Sequence, residues 1–157
     1  MSDPLARKRL LIVYHTQSGN TGRLAEAVLE GARDFEETET VIKPAAQAGL
    51  DDLLTAHGLL LGTPENFGYM SGMLKDFFDR TYYPAEGLTV GLPYAIFVSC
   101  GNDGSGAVRE IDRIALGYRW RKVAEPIIVR KEITAADLDR CRQLGATLAA
   151  GIAFGMF

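Results

Sequence analysis

The run Leu10-Leu11-Ile12-Val13-Tyr14-His15-Thr16-Gln17-Ser18-Gly19-Asn20-Thr21-Gly22-Arg23-Leu24-Ala25 changes character twice. Leu10 to Tyr14 is a continuous apolar run, the pattern of a strand buried on both faces. His15 to Thr21 is polar and contains a glycine. From Asn20 onward Leu24, Val28, Gly31 and Phe35 recur at three- to four-residue spacing, which predicts an amphipathic helix. A buried strand, a polar Gly-containing loop and a helix make the opening of a βα unit.

The same alternation continues along the chain. Strands are expected near Glu39 to Lys43, where Pro44 ends the run, and at Gly58 to Gly62, Tyr94 to Ser99 and Ile127 to Val129. A short helical piece spans about Leu50 to Ala56. A helix starting after Ser71 carries Met73, Leu74, Phe77 and Phe78 on one face. Another follows the loop Gly101 to Gly106, with Val108, Ile111, Ile114 and Ala115 as its stripe. The last starts at Thr134, whose Asp137 three residues on resembles a capping box, and carries Leu138, Cys141, Gly145, Leu148 and Ile152. Five βα units of this kind imply an α/β three-layer sandwich around a parallel sheet, with order 2-1-3-4-5 favoured. Residues 1–157 read as a single domain. Ligands of such sheets sit beyond the carboxyl ends of the strands, so the loops after strands one, three and four carry the candidate site.

Composition narrows the partners. Apolar residues are 47% and charged residues 24%, enough for an ordinary buried core, and the net charge of −3 gives no basic stripe for nucleic acid. Cys100 and Cys141 are scattered thiols without metal or redox spacing, as expected in a reducing compartment. His15 and His57 are the only histidines and cannot build a metal cluster; His57, at a strand start, reads as structural. No apolar run is long enough to span a membrane. Arg7, Lys8 and Arg9 precede a short apolar run that meets a polar loop rather than a cleavage site, so no secretory leader is read and a cytoplasmic location is expected. The apolar end, Gly145 to Phe157, reads as a packed helix end or a partner contact.

The first loop offers hydroxyls at Thr16, Ser18 and Thr21, amides at Gln17 and Asn20, close backbone approach at Gly19, and a helix N-terminus. That set suits a terminal phosphate. Rival phosphate motifs are absent: there is no Gly-x-Gly-x-x-Gly and no Gly-Lys-Ser/Thr. A response-regulator receiver domain shares the topology but needs an aspartate ending strand three, where this chain has Leu61-Gly62-Thr63. The second loop, Gly62 to Gly72, is rich in Pro, Gly and aromatics, so it can wall a flat heteroaromatic ring. Phe67 is the candidate ring contact, Glu65, Asn66 and Gly68 can bond the ring's polar edge, and Pro64 is a further candidate cofactor-binding residue. The third loop, Ser99-Cys100-Gly101-Asn102-Asp103-Gly104-Ser105-Gly106, lets backbone approach a flat ligand closely and contains no aromatic. Arg119, Arg121, Lys122, Arg130 and Lys131 flank the fifth strand around Trp120. A nicotinamide-cofactor phosphate can use them, but a solvated edge is the commoner explanation.

Tyr14, Thr16, Gly19, Thr21 and Ala25 resemble the flavodoxin phosphate signature: an aromatic, a spacer, Ser or Thr, two spacers, Gly, a spacer, Thr, and Ala four residues later. The resemblance implies a flavodoxin-like fold and FMN with its phosphate at Thr16, Gln17, Ser18, Gly19, Asn20 and Thr21. Gly62-Thr63-Pro64, Phe67-Gly68, Met70-Ser71-Gly72, and Phe77 or Phe78 with Asp79 and Thr81 resemble the WrbA-type NAD(P)H:quinone reductases, in which this loop holds the flavin ring. There the third loop, here Ser99, Cys100, Gly101, Asn102 and Gly104, lies along the ring edge. The implied activity is hydride transfer from NADH or NADPH through FMN to a quinone or similar small-molecule acceptor, with no catalytic side chain required. The alternative is a flavodoxin-type electron carrier docking a redox partner protein, although such carriers tend to be more acidic than −3. WrbA-type enzymes are longer, with segments that help build a tetramer, and this chain lacks room for all of them. Homodimer and homotetramer both stay open.

Overall fold

The structure, a computed structural model, describes residues 6–157. The elements run β1 (Lys8–Tyr14), α1 (Asn20–Arg33), β2 (Thr38–Pro44), α2 (Leu50–Leu54), β3 (Gly58–Pro64), α3 (Gly72–Ala85), β4 (Pro93–Cys100), α4 (Ser105–Tyr118), β5 (Arg121–Lys122), β6 (Ile127–Arg130) and α5 (Ala135–Ala153). All ladders are parallel. The path is β2-β1-β3-β4-β5, with β6 also pairing β4. The flavodoxin-like order read from the sequence is therefore the order observed.

One element was missed. The fifth position in the sheet is shared: β5 pairs with Pro93 and Tyr94 at the start of β4, and β6 with Phe97 to Cys100 at its end. Pro126 just before β6 has no N–H to give a ladder, which helps separate the two pieces. β5 consists of Arg121 and Lys122, so no apolar pattern announced it. The third helix also differs at one position, since Met73 is partly exposed rather than packed with Leu74, Phe77 and Phe78.

Alternation along each strand divides the core. Leu11, Val13, Leu59, Leu61, Ile96 and Val98 face α2, α3 and α4. Leu10, Ile12, Leu60 and Phe97 face α1 and α5, where Leu24, Val28, Cys141, Leu148 and Ile152 pack. In the C-terminal apolar stretch Gly145, Leu148 and Ile152 are buried on α5, while Phe154 and Met156 beyond its end are exposed. His57 is structural as expected: its Nδ1 accepts from the Arg9 amide at 2.9 Å, and burial, then Lys8, holds its pKa below the ordinary range. Among the described residues, no helix is long and apolar enough to cross a membrane.

Candidate functional site

Beyond the carboxyl ends of β1, β3, β4 and β6 lies an open cleft of about 700 Å³. That is within the size range of small-molecule sites. Its walls come from the first loop and α1 (Gln17, Ser18, Asn20, Arg23), the end of β3 (Pro64, Glu65, Asn66), the end of β4 (Ser99, Cys100, Gly101) and the β6–α5 connection (Lys131, Glu132, Ile133). Three loops that the sequence singled out separately therefore meet.

The first loop is shaped to leave donors free. Gly19, at φ 102°, is the N-cap of α1 and supplies no side-chain cap. Thr16 folds inward and its hydroxyl accepts from the Gly19 amide at 3.1 Å. The amides of Gln17, Ser18, Asn20 and Thr21 have no hydrogen-bond partner among the described residues. Asn20 and Thr21 open a helix of 14 residues and Gln17 and Ser18 precede it, so the positive end of its dipole coincides with unclaimed N–H groups. Thr21 differs from the sequence expectation in one respect. It is buried, and its hydroxyl shares a 2.7 Å hydrogen bond with the buried Ser99 hydroxyl. This bond ties the start of α1 to the end of β4, so the Thr21 hydroxyl fixes the loop, and Thr21 itself does not line the cleft.

The loop after β3 is a tight hairpin. Asn66 and Tyr69 exchange backbone bonds of 2.8 and 3.0 Å, with Phe67 (φ 52°) and Gly68 (φ 73°) at the tip. Two consecutive positive φ values make a type I′ turn. Glycine suits the second position; phenylalanine at the first is held in a region that bulky side chains rarely occupy. Phe67 is fully exposed as a result. Neither it nor Gly68 lines the cleft, which differs from the ring contact expected of both. Asn66 lies inside and its Nδ2 donates to Gln17 Oε1 at 3.2 Å, bridging the first and second loops.

Glu65 is positioned differently from the expected ring-edge contact. Its carboxylate accepts from the amides of Gly104 (2.9 Å), Gly106 (3.1 Å) and Ala107 (3.2 Å), which are the opening amides of α4. Its own amide donates to the Ser99 carbonyl at 2.9 Å. The side chain is therefore engaged in joining the second loop to the third. A Cβ at Gly106 would collide with the Gly68 carbonyl oxygen, so the two loops are in backbone contact as well. Gly104, the left-handed N-cap of α4 at φ 82°, is buried by this arrangement and does not reach the cleft; Asn102 is exposed outside it. Cys100 lines the cleft, half-buried. Burial pushes its thiol pKa up, against a hydrogen bond from the Asn102 backbone, so it is a weak nucleophile at neutral pH.

Sequence reasoning gave no role to Arg23, Glu132 or Ile133. Arg23 falls at no patterned position, and the other two lie in the β6–α5 connection, which carries no recognisable motif. The basic group around Trp120 divides. Trp120 is buried and donates to Thr89 Oγ1 at 2.9 Å, Lys122 pairs with Asp112 at 2.8 Å, and Lys131 alone of the five reaches the cleft.

Residues 23–129 match the family model described as NADPH-dependent FMN reductase. The match begins just past the first loop, whose chemistry therefore rests on its own geometry. A flavodoxin of Aquifex aeolicus is 32% identical to this chain, covering 92% of the chain and 87% of that protein. An NAD(P)H dehydrogenase (quinone) of Syntrophus aciditrophicus is 27% identical, covering 92% of the chain and 85% of that protein. A solved flavodoxin, WrbA-like protein of Agrobacterium tumefaciens superposes with a TM-score of 0.76 at 23% identity, covering 92% of the chain and 97% of that structure, and so supports the fold. With the family match running over well more than half of its 157 residues, the chain belongs to the NADPH-dependent FMN reductase family and is a flavodoxin-like, FMN-dependent NAD(P)H oxidoreductase.

Proposed function

We propose that this oxidoreductase passes electrons from NADH or NADPH to a quinone or a similar small two-electron acceptor. In this reading the FMN phosphate sits in the Thr16–Thr21 loop and the ring lies against the loops after β3 and β4. The observation that carries the placement is the set of unclaimed amides at Gln17, Ser18 and Asn20, residues that line the cleft at the open end of a long helix. A phosphate monoester needs such donors and such a dipole. The residues present therefore fit FMN at its anionic end.

The chain's own groups bind and orient. Ser18 and the first-loop amides hold the phosphate, Thr21 keeps that loop in register through Ser99, and Asn66 with Gln17 spans the region between phosphate and ring. Pro64, Cys100 and Gly101, which line the cleft, offer backbone and small side chains around the ring, while Phe67, Gly68, Asn102 and Gly104 lie outside the cleft walls. FMN, when bound, supplies hydride and electron transfer at its N5, so no protein acid or base is assigned. The third loop brings no aromatic over the ring, which leaves a face on which a nicotinamide or a quinone can stack.

Steady-state oxidation of NADH and NADPH with a benzoquinone, on FMN-loaded protein, tests this. Turnover with at least one donor is expected. Absence of turnover with both would overturn the reductase reading. It would favour an electron carrier serving a protein partner, a reading the Aquifex aeolicus flavodoxin keeps in view.

A further inference from the structure

Two cations in the cleft have no counterion. Arg23 in the first turn of α1 and Lys131 in the β6–α5 connection both line it, and neither forms an ion pair among the described residues. Their basic neighbours are paired: Arg130 with Asp103 at 3.7 Å, Arg140 with Asp137 at 2.6 Å, and Arg142 with Asp139 at 2.6 Å. Lys131 is also fixed in place. Its amide donates to the Cys100 carbonyl at 2.8 Å, and its backbone holds a left-handed φ of 63°. Of the two carboxylates that line the cleft, Glu65 is taken up by the start of α4, which leaves Glu132 as the unpaired one. The formal side-chain charge of the cleft is therefore balanced, but with the Glu65 carboxylate held by the α4 amides, Arg23 and Lys131 face one free carboxylate, Glu132.

We propose that Arg23 and Lys131 are binding residues for the FMN phosphate, neutralising the charge that the α1 amides alone leave uncompensated. The inference rests on the placement of that phosphate given above. A phosphate monoester carries about −1.5 to −2 at neutral pH, while a helix N-terminus offers about +0.5. About 1 to 1.5 units of charge remain, and Arg23 and Lys131, lining the same cleft, are its groups of the right sign to offset them, even against the free Glu132. Both side chains are exposed, so each contributes modestly, on the order of a fivefold to tenfold gain in affinity.

The test is titration of apoprotein with FMN and with riboflavin, followed by flavin fluorescence, at low and high salt. The variants are Arg23→Gln, Lys131→Gln, the double variant and Arg23→Lys. FMN should bind roughly fivefold to tenfold more weakly to each Gln variant, with a shallower salt dependence in the double variant. Riboflavin affinity should be unchanged, and Arg23→Lys should retain most of the FMN affinity. Equal losses for FMN and riboflavin would mean a structural role and would overturn the proposal. So would unchanged FMN affinity in the double variant, including the case where only discrimination between NADPH and NADH moves. Failure of the underlying placement looks different: wild-type protein would then bind FMN no more tightly than riboflavin, or bind neither.

Discussion

Helices α1 and α4 begin alike and meet opposite surroundings. Each has 14 residues, each starts at a glycine in the left-handed region (Gly19 and Gly104), and neither N-cap has a side chain to offer. At α4 the Glu65 carboxylate arrives from another loop and accepts three opening amides. At α1 no carboxylate arrives, and only the Gly19 amide is accepted, by the neutral Thr16 hydroxyl. The other long helices are capped locally: Ser71 accepts from the Leu74 amide at α3, and Thr134 with Asp137 forms a reciprocal box at α5. A helix N-terminus is attractive to anions by default. What distinguishes α1 is that the chain supplies no anion of its own, and that this open end faces a cleft.

The strongest way to break the contrast is to give α1 what α4 already has. Ser18→Asp places a carboxylate at the open amides. It should compete for them and repel a phosphate, weakening FMN binding at least about 100-fold, or about 3 kcal/mol. Riboflavin, which lacks the phosphate, should lose far less in the same titration. Equal loss for both flavins would mean that Ser18 does not face the phosphate.

The reverse exchange makes α4 resemble α1. Glu65→Ala strips three amides of their acceptor and should cost about 1–2 kcal/mol in stability, read as a lower denaturant midpoint at unchanged slope. Sulfate should recover part of that loss in the variant beyond its general effect on the wild type, because an open helix end accepts an anion from solution. A variant as stable as the wild type would show that the three hydrogen bonds contribute nothing net.

This contrast also marks how far the sequence could be read. The period change at Tyr14, the strand spacing and the signature at Tyr14, Thr16, Gly19, Thr21 and Ala25 sufficed for the sheet order and the first loop, because local pattern and short-range spacing carry that information. What was not legible depends on residues far apart in the chain. Nothing at Glu65 announces that it caps a helix starting some forty positions later, nor at Thr21 that its hydroxyl turns toward Ser99. Lys131 looked like one of several solvated cations until the β6–α5 connection brought it, unpaired, to the cleft. Phe67 reads in the sequence as a ring contact, whereas it stands fully exposed outside the cleft walls with a left-handed backbone, a conformation imposed by the hairpin rather than preferred by the residue.

The smallest effect separates α1 from α5 by acid. At α5 the anion belongs to the chain: Asp137 accepts from the Thr134 amide at 2.9 Å and pairs with Arg140, and these interactions, the amide first, hold its pKa below the ordinary 3.8. A lowered carboxylate stabilises the fold fully above its unfolded pKa, and that contribution disappears as pH falls through the lower folded value. The capping box is therefore intact at pH 5.5 and weakens only below about pH 4. At α1 the anion is the ligand's, and a phosphate monoester takes up its second proton near pH 6. Lowering the pH from 7.5 to 5.5 should then weaken FMN binding roughly twofold to fivefold while Asp137 stays ionised. Riboflavin should show no such loss. If riboflavin and FMN weakened together over that range, the acid response would belong to the protein, and the view of α1 as a helix end completed by its ligand's charge would fail.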